Sequence, residues 1–255
     1  MAALSIGKAW EESTAFVKRE GQLLFPVALL FLAVPVAILF QMMPPEFLQM
    51  TPGQKMPPLP GTVKLGMMIT AVITLAGSLT IFALALKPGI SVGEAIRLGV
   101  QRLPVLLGAM LIVGTASLLG ISLIAGLLAA VIGLAGAMRL ATVATLLGML
   151  YLATRLLLLN AVVIDRPGGI VQSLKAAWAL TSGHFWRLAA FLAVLLIISS
   201  VIQMAVQAVF GVIAGLAGGP AAAQAAGDVA GAACSAVIQV YLQVMLARIY
   251  RQLHG

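Results

Sequence analysis

The chain alternates between short basic stretches and long apolar ones, and this alternation occurs three times. Each unit begins with an amphipathic stretch, near Ser5, Ser91 and Ile170, and continues into two apolar segments. Ser5 and Ser91 are 86 residues apart, and Ile6 and Ile170 are 164 apart, which is twice 82. Regular spacing of this kind indicates internal duplication. We therefore predict a single membrane domain, 1–255, with three pseudo-repeats of the same topology, at about 1–87, 88–165 and 166–255.

The apolar segments are long enough to cross a bilayer. A hydrocarbon core of roughly 30 Å requires about 20 apolar residues in a helix. Gly133 and Gly136 favour a turn between the third and fourth segments, and six prolines within residues 44–61 predict an irregular loop. The sequence thus predicts an all-α polytopic membrane protein with six transmembrane helices, at residues 23–43, 63–86, 104–134, 140–164, 188–216 and 221–247.

Each amphipathic stretch has helical periodicity, with an apolar face opposite a charged one. We expect these helices to lie in the membrane interface, and Gly21 and Gly183 to let the chain bend into the next span. The alternative is that they are cytoplasmic loops with helical tendency. The predicted apolar faces are Ile6, Trp10, Ser13 and Val17, then Val92, Ile96, Gly99 and Leu103, then Ile170, Leu174, Ala177 and Trp178. The predicted interfacial anchors are Trp10, Trp178, Trp186, Lys175 and Arg187.

The composition places most of the chain in lipid rather than water. Of 255 residues, 62% are hydrophobic and 9% are charged, against about 25% charged residues in soluble domains. Eleven of the fifteen lysines and arginines fall on one side of the six-span arrangement. By the positive-inside rule this predicts a bacterial inner-membrane protein with both termini in the cytoplasm. Because these cations lie at the ends of apolar segments, we expect them to contact anionic lipid headgroups and not nucleic acid.

One segment of the chain resembles a known family. Residues 169–188 read GIVQSLKAAWALTSGHFWRL, and Tyr151-Leu152 with Arg155 precede them. This pattern resembles the glycerophosphoryl diester phosphodiesterase membrane-domain family, most closely over residues 140–190. In that family the membrane domain stands alone or is joined to a catalytic barrel. Since six spans account for this chain, we expect no barrel, and the resemblance implies no diesterase activity here.

Arg155 is the most informative single residue for function. At 1.5 Å per residue it lies roughly 22 Å from the outer end of the predicted fourth span, where a charge normally faces the bundle interior or a wet cavity. Gln203 and Gln239 lie at similar predicted depth. We predict a polar cluster of Arg155, Tyr151, Gln203 and Gln239 that binds an anionic headgroup or solute. The alternative is an arginine with only a structural role. Its N–H groups would then donate to glutamine amide oxygens and backbone carbonyls, or its side chain would extend to the membrane interface.

Other chemistry has little basis in the sequence. Asp228 is the one acid deep within a predicted span, so it is the candidate proton or ion carboxylate; the alternative is a helix-start acid favoured by the macrodipole. Cys234 is the only cysteine, which excludes an intramolecular disulfide. No metal, phosphate-loop or nucleophile motif occurs. We therefore expect neither enzymatic activity nor a metal or other cofactor.

Two functions are compatible with these patterns. The first is a non-catalytic membrane or scaffold component whose basic interfacial helices engage anionic lipid or a partner. The second is a small transporter or lipid-handling protein that uses the site around Arg155. A dry, tightly packed bundle with an exposed basic face favours the first, and polar residues around a cavity favour the second. The sequence leaves open whether the protein forms a homo-oligomer or joins another membrane protein.

Overall fold

The structure is a computed structural model that describes residues 5–44, 47 and 58–254. The described chain is helical, without strands. Five segments are long and apolar enough to cross a membrane. The predicted proline-rich loop falls mostly outside the described residues. The helices are α1 (Ile6–Ala28), α2 (Val34–Met42), α3 (Gly61–Leu86), α4 (Val92–Arg155), α5 (Leu159–Asp165), α6 (Ile170–Ser182) and α7 (Phe185–His254), with a π-helical turn (Leu29–Ala33) between α1 and α2.

The two longest helices, α4 and α7, each contain a break at a glycine. Gly133 and Gly219 both have φ of 76°, a left-handed conformation that favours glycine. Across the second break the halves of α7 run antiparallel, because Gln203 Nε2 donates to the Gly231 carbonyl at 3.5 Å and Gly211 faces Ala223. The predicted turns near residues 133–136 and between 216 and 221 are therefore confirmed.

The first span and α3 form another antiparallel pair. Thr70 Oγ1 donates to the Pro35 carbonyl at 3.3 Å, and Gly77 lies directly against Phe31 in the π-helical turn. The turn has a local cause: Pro35 has no N–H for an α-helical bond to the Phe31 carbonyl, and its ring would clash with that carbonyl. The extra residue in the π-helical turn accommodates the proline without ending the helix.

The amphipathic stretches differ from the prediction in how they join the spans. Residues 6–22 are part of α1, which continues through Gly21 without a bend, and residues 92–103 continue through Pro104 into the rest of α4. The predicted bend at Gly21 is therefore wrong, because this glycine is buried within a packed helix. The predicted bend at Gly183 is confirmed, since α6 ends there and α7 begins at Phe185.

The buried stripe of each amphipathic helix consists mainly of small residues. It includes Ala9 and Ser13 in α1, Ala95 and Gly99 in α4, and Ala177 in α6. Trp10 and Trp178 of the predicted apolar faces are instead 49% and 40% exposed. Small residues permit close helix packing, so these helices pack against the chain itself. Buried positions recur at spacings of 82 residues: Ser13, Ala95 and Ala177; Val17, Gly99 and Thr181; Leu24, Leu106 and Leu188.

The best-buried segments meet at one end of the bundle. Residues 76–86, 158–164 and 240–250 are almost entirely buried there. The first and last described residues of the chain lie at this end, because the Ser5 backbone N–H donates to Gln252 Oε1 at 3.1 Å. We call it the basic end. It comprises residues 5–24, 84–102, 165–187 and 247–254.

The rest of the molecule exposes large apolar side chains. Leu123, Val131 and Leu147 in α4, and Leu216 in α7, are each more than 60% exposed. Such surfaces suit lipid and not water. The helical part from Val92 to Val131 has 40 residues and would be about 60 Å long, twice the thickness of the hydrocarbon core. Its amphipathic beginning can therefore lie outside the hydrocarbon while the remainder crosses it.

Candidate functional site

Arg155 lies at the end of a helix and not in the middle of one. It is the last residue of α4, and a turn over residues 156–158 separates it from α5. The carbonyl of Arg155 accepts a hydrogen bond from Thr181 Oγ1 of α6 at 3.0 Å. The predicted fourth span is thus interrupted just after the arginine. This places the guanidinium beside the connection between α6 and α7, which belongs to the basic end.

Aromatic rings surround the Arg155 guanidinium on several sides. Its central carbon lies 5.3 Å from the ring centre of Tyr151, 5.0 Å from that of Trp178 and 5.3 Å from that of Phe185. Its Nε also donates to the Tyr151 hydroxyl at 3.2 Å. Cations are attracted to ring faces within about 6 Å. The three rings therefore hold the charge in place without neutralising it.

An open cavity of about 570 Å³ adjoins this guanidinium. Its lining consists of Arg155 and residues 182–187, which include Arg187 and His184 but no acidic residue. Arg155 Nη1 is buried and has no hydrogen-bond partner within the described part of the chain. A buried donor without a partner costs about 1–3 kcal/mol. We call this space the Arg155 cavity; chemically it is a recess lined by two arginines and no acidic residue.

The two predicted glutamine ligands lie in other parts of the bundle. Gln203 donates across the α7 hairpin to Gly231, as described above, and Gln239 Oε1 accepts from Gln243 Nε2 at 3.3 Å. The structure therefore brings Tyr151 to Arg155 but gives both glutamines partners within α7. Helix depth alone does not specify which side chains meet, because it contains no information on which helices are neighbours.

Sequence reasoning missed Phe185 as a neighbour of Arg155 and treated Trp178 and Arg187 only as anchors. The available signal was the Gly183 bend followed by Phe185-Trp186-Arg187, since a bend between two helices presents these side chains together. Trp186 is 82% exposed, as expected for an interfacial anchor. Lys175 and Arg187 are also exposed.

Asp228 lies in the second half of the α7 hairpin and is half-buried. Among the described residues, the salt bridges join Lys8 to Glu12 and Arg19 to Glu20, so neither involves this carboxylate. Residues 5–44 and 58–254 also contain no group of three or more potential metal-ligating side chains. The role of Asp228 in proton or ion transfer stays a prediction.

The basic end brings cations from distant parts of the sequence together. Arg251 donates to the Leu86 carbonyl, and the Arg248 guanidinium lies 4.7 Å from the ring centre of Phe16. Arg19 and Lys87 line one surface cavity. Arg166 and His184 line another. The cations of four separate stretches thus form one surface.

The interior behind this surface contains few polar groups. Within the described ranges no charged side chain is fully buried, and the buried polar residues are Ser13, Ser78, Thr80, Thr154, Ser173, Thr181 and Gln243. Most of the hydroxyl groups bond to the carbonyl four residues earlier, as for Thr80, while Asn160 donates to Ser78. A groove of about 620 Å³ between α2 and α3 is lined by leucine, isoleucine and methionine with two threonines. These features do not form a polar path through the bundle.

Comparison with known proteins assigns the chain to a family. A family model described as "Domain of unknown function (DUF7847)" matches residues 4–253. No curated protein and no solved structure gives a significant match. The description of the matched family does not mention the phosphodiesterase membrane domain, so the resemblance of residues 169–188 to that domain stays a prediction.

Proposed function

Since the chain belongs to the DUF7847 family, whose description assigns no activity, we propose a function from the geometry. The protein is a non-catalytic component of the bacterial inner membrane that engages anionic lipid through its basic end. The observation that carries this proposal is the meeting of cations from residues 8–19, 87–102, 166–187 and 248–251 at one end of a largely apolar bundle.

The charge distribution supports a lipid surface as the counterpart. Lys8, Lys18 and Lys87 are exposed, and their flexible ammonium groups can reach lipid headgroups beside the bundle. Each lysine or arginine near an anionic leaflet contributes about 1 kcal/mol. Exposed tryptophans at the same end, Trp10 and Trp186, suit the headgroup region.

The alternative of a transporter has less support. A transport path needs polar groups that converge within the membrane, whereas Gln203 and Gln239 bond within the α7 hairpin and not to Arg155. The large groove between α2 and α3 is apolar. A lipid-handling role that uses the Arg155 cavity alone is compatible with the geometry.

The topology that accompanies this proposal has six spans and both termini in the cytoplasm. It is supported by the breaks in α4 and α7, which divide the chain into the six predicted segments. The 82-residue recurrence of buried positions supports three repeats. We retain the relation to the phosphodiesterase membrane domain as a proposal on shared ancestry of residues 140–190, without diesterase activity.

The test is whether the basic end selects anionic lipid. Purified protein in uncharged detergent is incubated with equimolar phosphatidylglycerol and phosphatidylcholine, and the bound lipids are counted by native mass spectrometry. We expect a preference for phosphatidylglycerol that falls at least threefold when Lys8, Lys18 and Lys87 are changed to glutamine, because each neutralised lysine removes about 1 kcal/mol of attraction.

The matched control changes cations at the opposite end, with Lys64→Gln and Arg139→Gln in one variant. Both side chains are exposed. This variant should retain the preference. An equal loss in both variants would show that overall charge, and not the basic end, selects the lipid.

A further inference from the structure

We propose that the Arg155 cavity binds a phosphate group, carried by a lipid headgroup or free in solution. This deepens the proposed function, on which it rests, because it assigns one specific site within the basic end. The cavity combines a restrained guanidinium with an unpartnered buried donor, a second arginine and the first turn of a long helix.

The first element is the donor set of Arg155. Its Nε is occupied by the Tyr151 hydroxyl, and three aromatic rings lie about 5 Å from its guanidinium carbon. These contacts restrict the side chain but leave Nη1 buried without a partner among the described residues. A guanidinium with free terminal nitrogens matches the oxygen atoms of a phosphate. Its preorganisation reduces the entropy lost on binding.

The second element is the surrounding positive potential. Arg187 lines the same cavity, and no aspartate or glutamate does. The first amides of α7, at Phe185, Trp186 and Arg187, precede the first backbone bond within that helix, from Leu188 to the His184 carbonyl. Such free amides and the helix dipole favour an anion. The free amides and the dipole supplement the attraction of the two arginines for an anion, and the arginines define the site.

The third element is the location and size of the cavity. Its volume of about 570 Å³ is in the range of small-molecule sites and larger than a carboxylate requires. Trp186, which lines it, is 82% exposed, and Trp178 is 40% exposed. Exposed tryptophans mark the level of the lipid headgroups. A phosphate at this level is accessible both from the lipid and from water, so the experiment must distinguish the two sources.

The test measures binding of three probes to the full-length protein in uncharged detergent by isothermal titration calorimetry. The probes are dihexanoyl phosphatidic acid, inorganic phosphate and dihexanoylglycerol, which has the same acyl chains without phosphate. We expect saturable binding of phosphatidic acid and weaker or no binding of dihexanoylglycerol. Comparable binding of inorganic phosphate would identify free phosphate as sufficient; binding of phosphatidic acid alone would identify a lipid headgroup. Both results support the proposal.

Variants locate the binding site. Arg155→Gln and Arg187→Gln should each weaken phosphatidic acid binding about tenfold, the change expected from one charge-assisted hydrogen bond. Arg155→Lys retains the charge but not the planar donor set, so it should also weaken binding. Arg187 is exposed, so its substitution keeps the test valid if the Arg155 variants do not fold. Arg97→Gln is the matched control: this arginine is exposed and does not line the cavity.

Two results would overturn the proposal. One is equal binding of phosphatidic acid and dihexanoylglycerol, and the other is an equal loss in Arg97→Gln and Arg187→Gln. Neither affects the broader function, which fails if the preference for phosphatidylglycerol is absent, survives neutralisation of Lys8, Lys18 and Lys87, or is lost equally in the Lys64 and Arg139 control variant. The two proposals can therefore fail separately.

Discussion

At the scale of single residues, close contact between α3 and α4 depends on Gly99. A Cβ atom at this position would lie 2.9 Å from Thr80 Oγ1 and 3.1 Å from both the Ala76 carbonyl oxygen and the Thr80 nitrogen. Two of these three atoms belong to the backbone, which cannot move without displacing α3. The contact therefore has no room for a methyl group.

We predict that Gly99→Ala destabilises the protein by about 1–3 kcal/mol, the usual cost of overpacking. The measurement is thermal unfolding in detergent followed by tryptophan fluorescence. Gly114→Ala is the control, because Gly114 lies in the same helix and an added Cβ atom there would have no neighbour within 4 Å. The control should be neutral or more stable by up to about 1 kcal/mol. Equal stability of the two variants would contradict the close packing.

Arg155 shows the same dependence on neighbours. The sequence predicted a charge deep within a span at Arg155, with Tyr151 one helical turn before it. The contact between these two side chains is present. The other two rings belong to later helices, Trp178 to α6 and Phe185 to α7. Their approach requires the turn at residues 156–158, for which the local sequence has neither glycine nor proline. Packing, and not local preference, decides this turn.

At the scale of elements, the hairpins in α4 and α7 depend on backbone conformation at one glycine each. Gly133 and Gly219 have φ of 76° with ψ of 164° and −171°, a conformation that costs other residues about 1–3 kcal/mol. Around Gly133 the half-buried positions Ile121 and Ala125 precede the break, and Ala141 and Thr145 follow it at matching distances. This pattern is expected for two helix halves that pack on each other.

We predict that Gly133→Ala destabilises the α4 hairpin by about 1–3 kcal/mol through backbone strain alone. Nothing lies within 4 Å of the added methyl group at either Gly133 or Gly126. Gly126→Ala in the same helix is therefore the control, because φ is positive at Gly133 and not at Gly126. The control should be neutral or stabilising. Unfolding temperatures of the two variants in detergent provide the comparison. If Gly133→Ala were the more stable, a left-handed residue at the turn would be excluded.

At the scale of the whole molecule, the antiparallel hairpins place their glycine breaks at the end of the bundle opposite to the basic end. The breaks at Gly133 and Gly219 are remote from the end at which Ser5 meets Gln252. If the bundle crosses the membrane as proposed, these two regions are on different sides. By the positive-inside rule, the eleven cations on one side predict that this side is cytoplasmic.

Cysteine labelling tests this arrangement. In a Cys234→Ser background, single cysteines replace Arg139, Gln224 or Lys175, all of which are exposed. A membrane-impermeant maleimide added to intact cells should label Arg139→Cys and Gln224→Cys but label Lys175→Cys only after the cells are opened. Labelling of Lys175→Cys in intact cells at the rate of the other two would refute cytoplasmic placement of the basic end.

The amino-acid sequence was sufficient to predict the helical class, the length of the apolar segments and the two hairpin turns. These properties depend on composition, on hydrophobic runs and on glycines in special conformations, which are local. Helix packing was needed to establish that Gly21 lies inside a packed helix, that small residues and not tryptophans face the interior, and that Arg155 meets Phe185 and not Gln203. The difference arises because a lipid-exposed face and a helix-packed face are both apolar, so only the contact between helices distinguishes them.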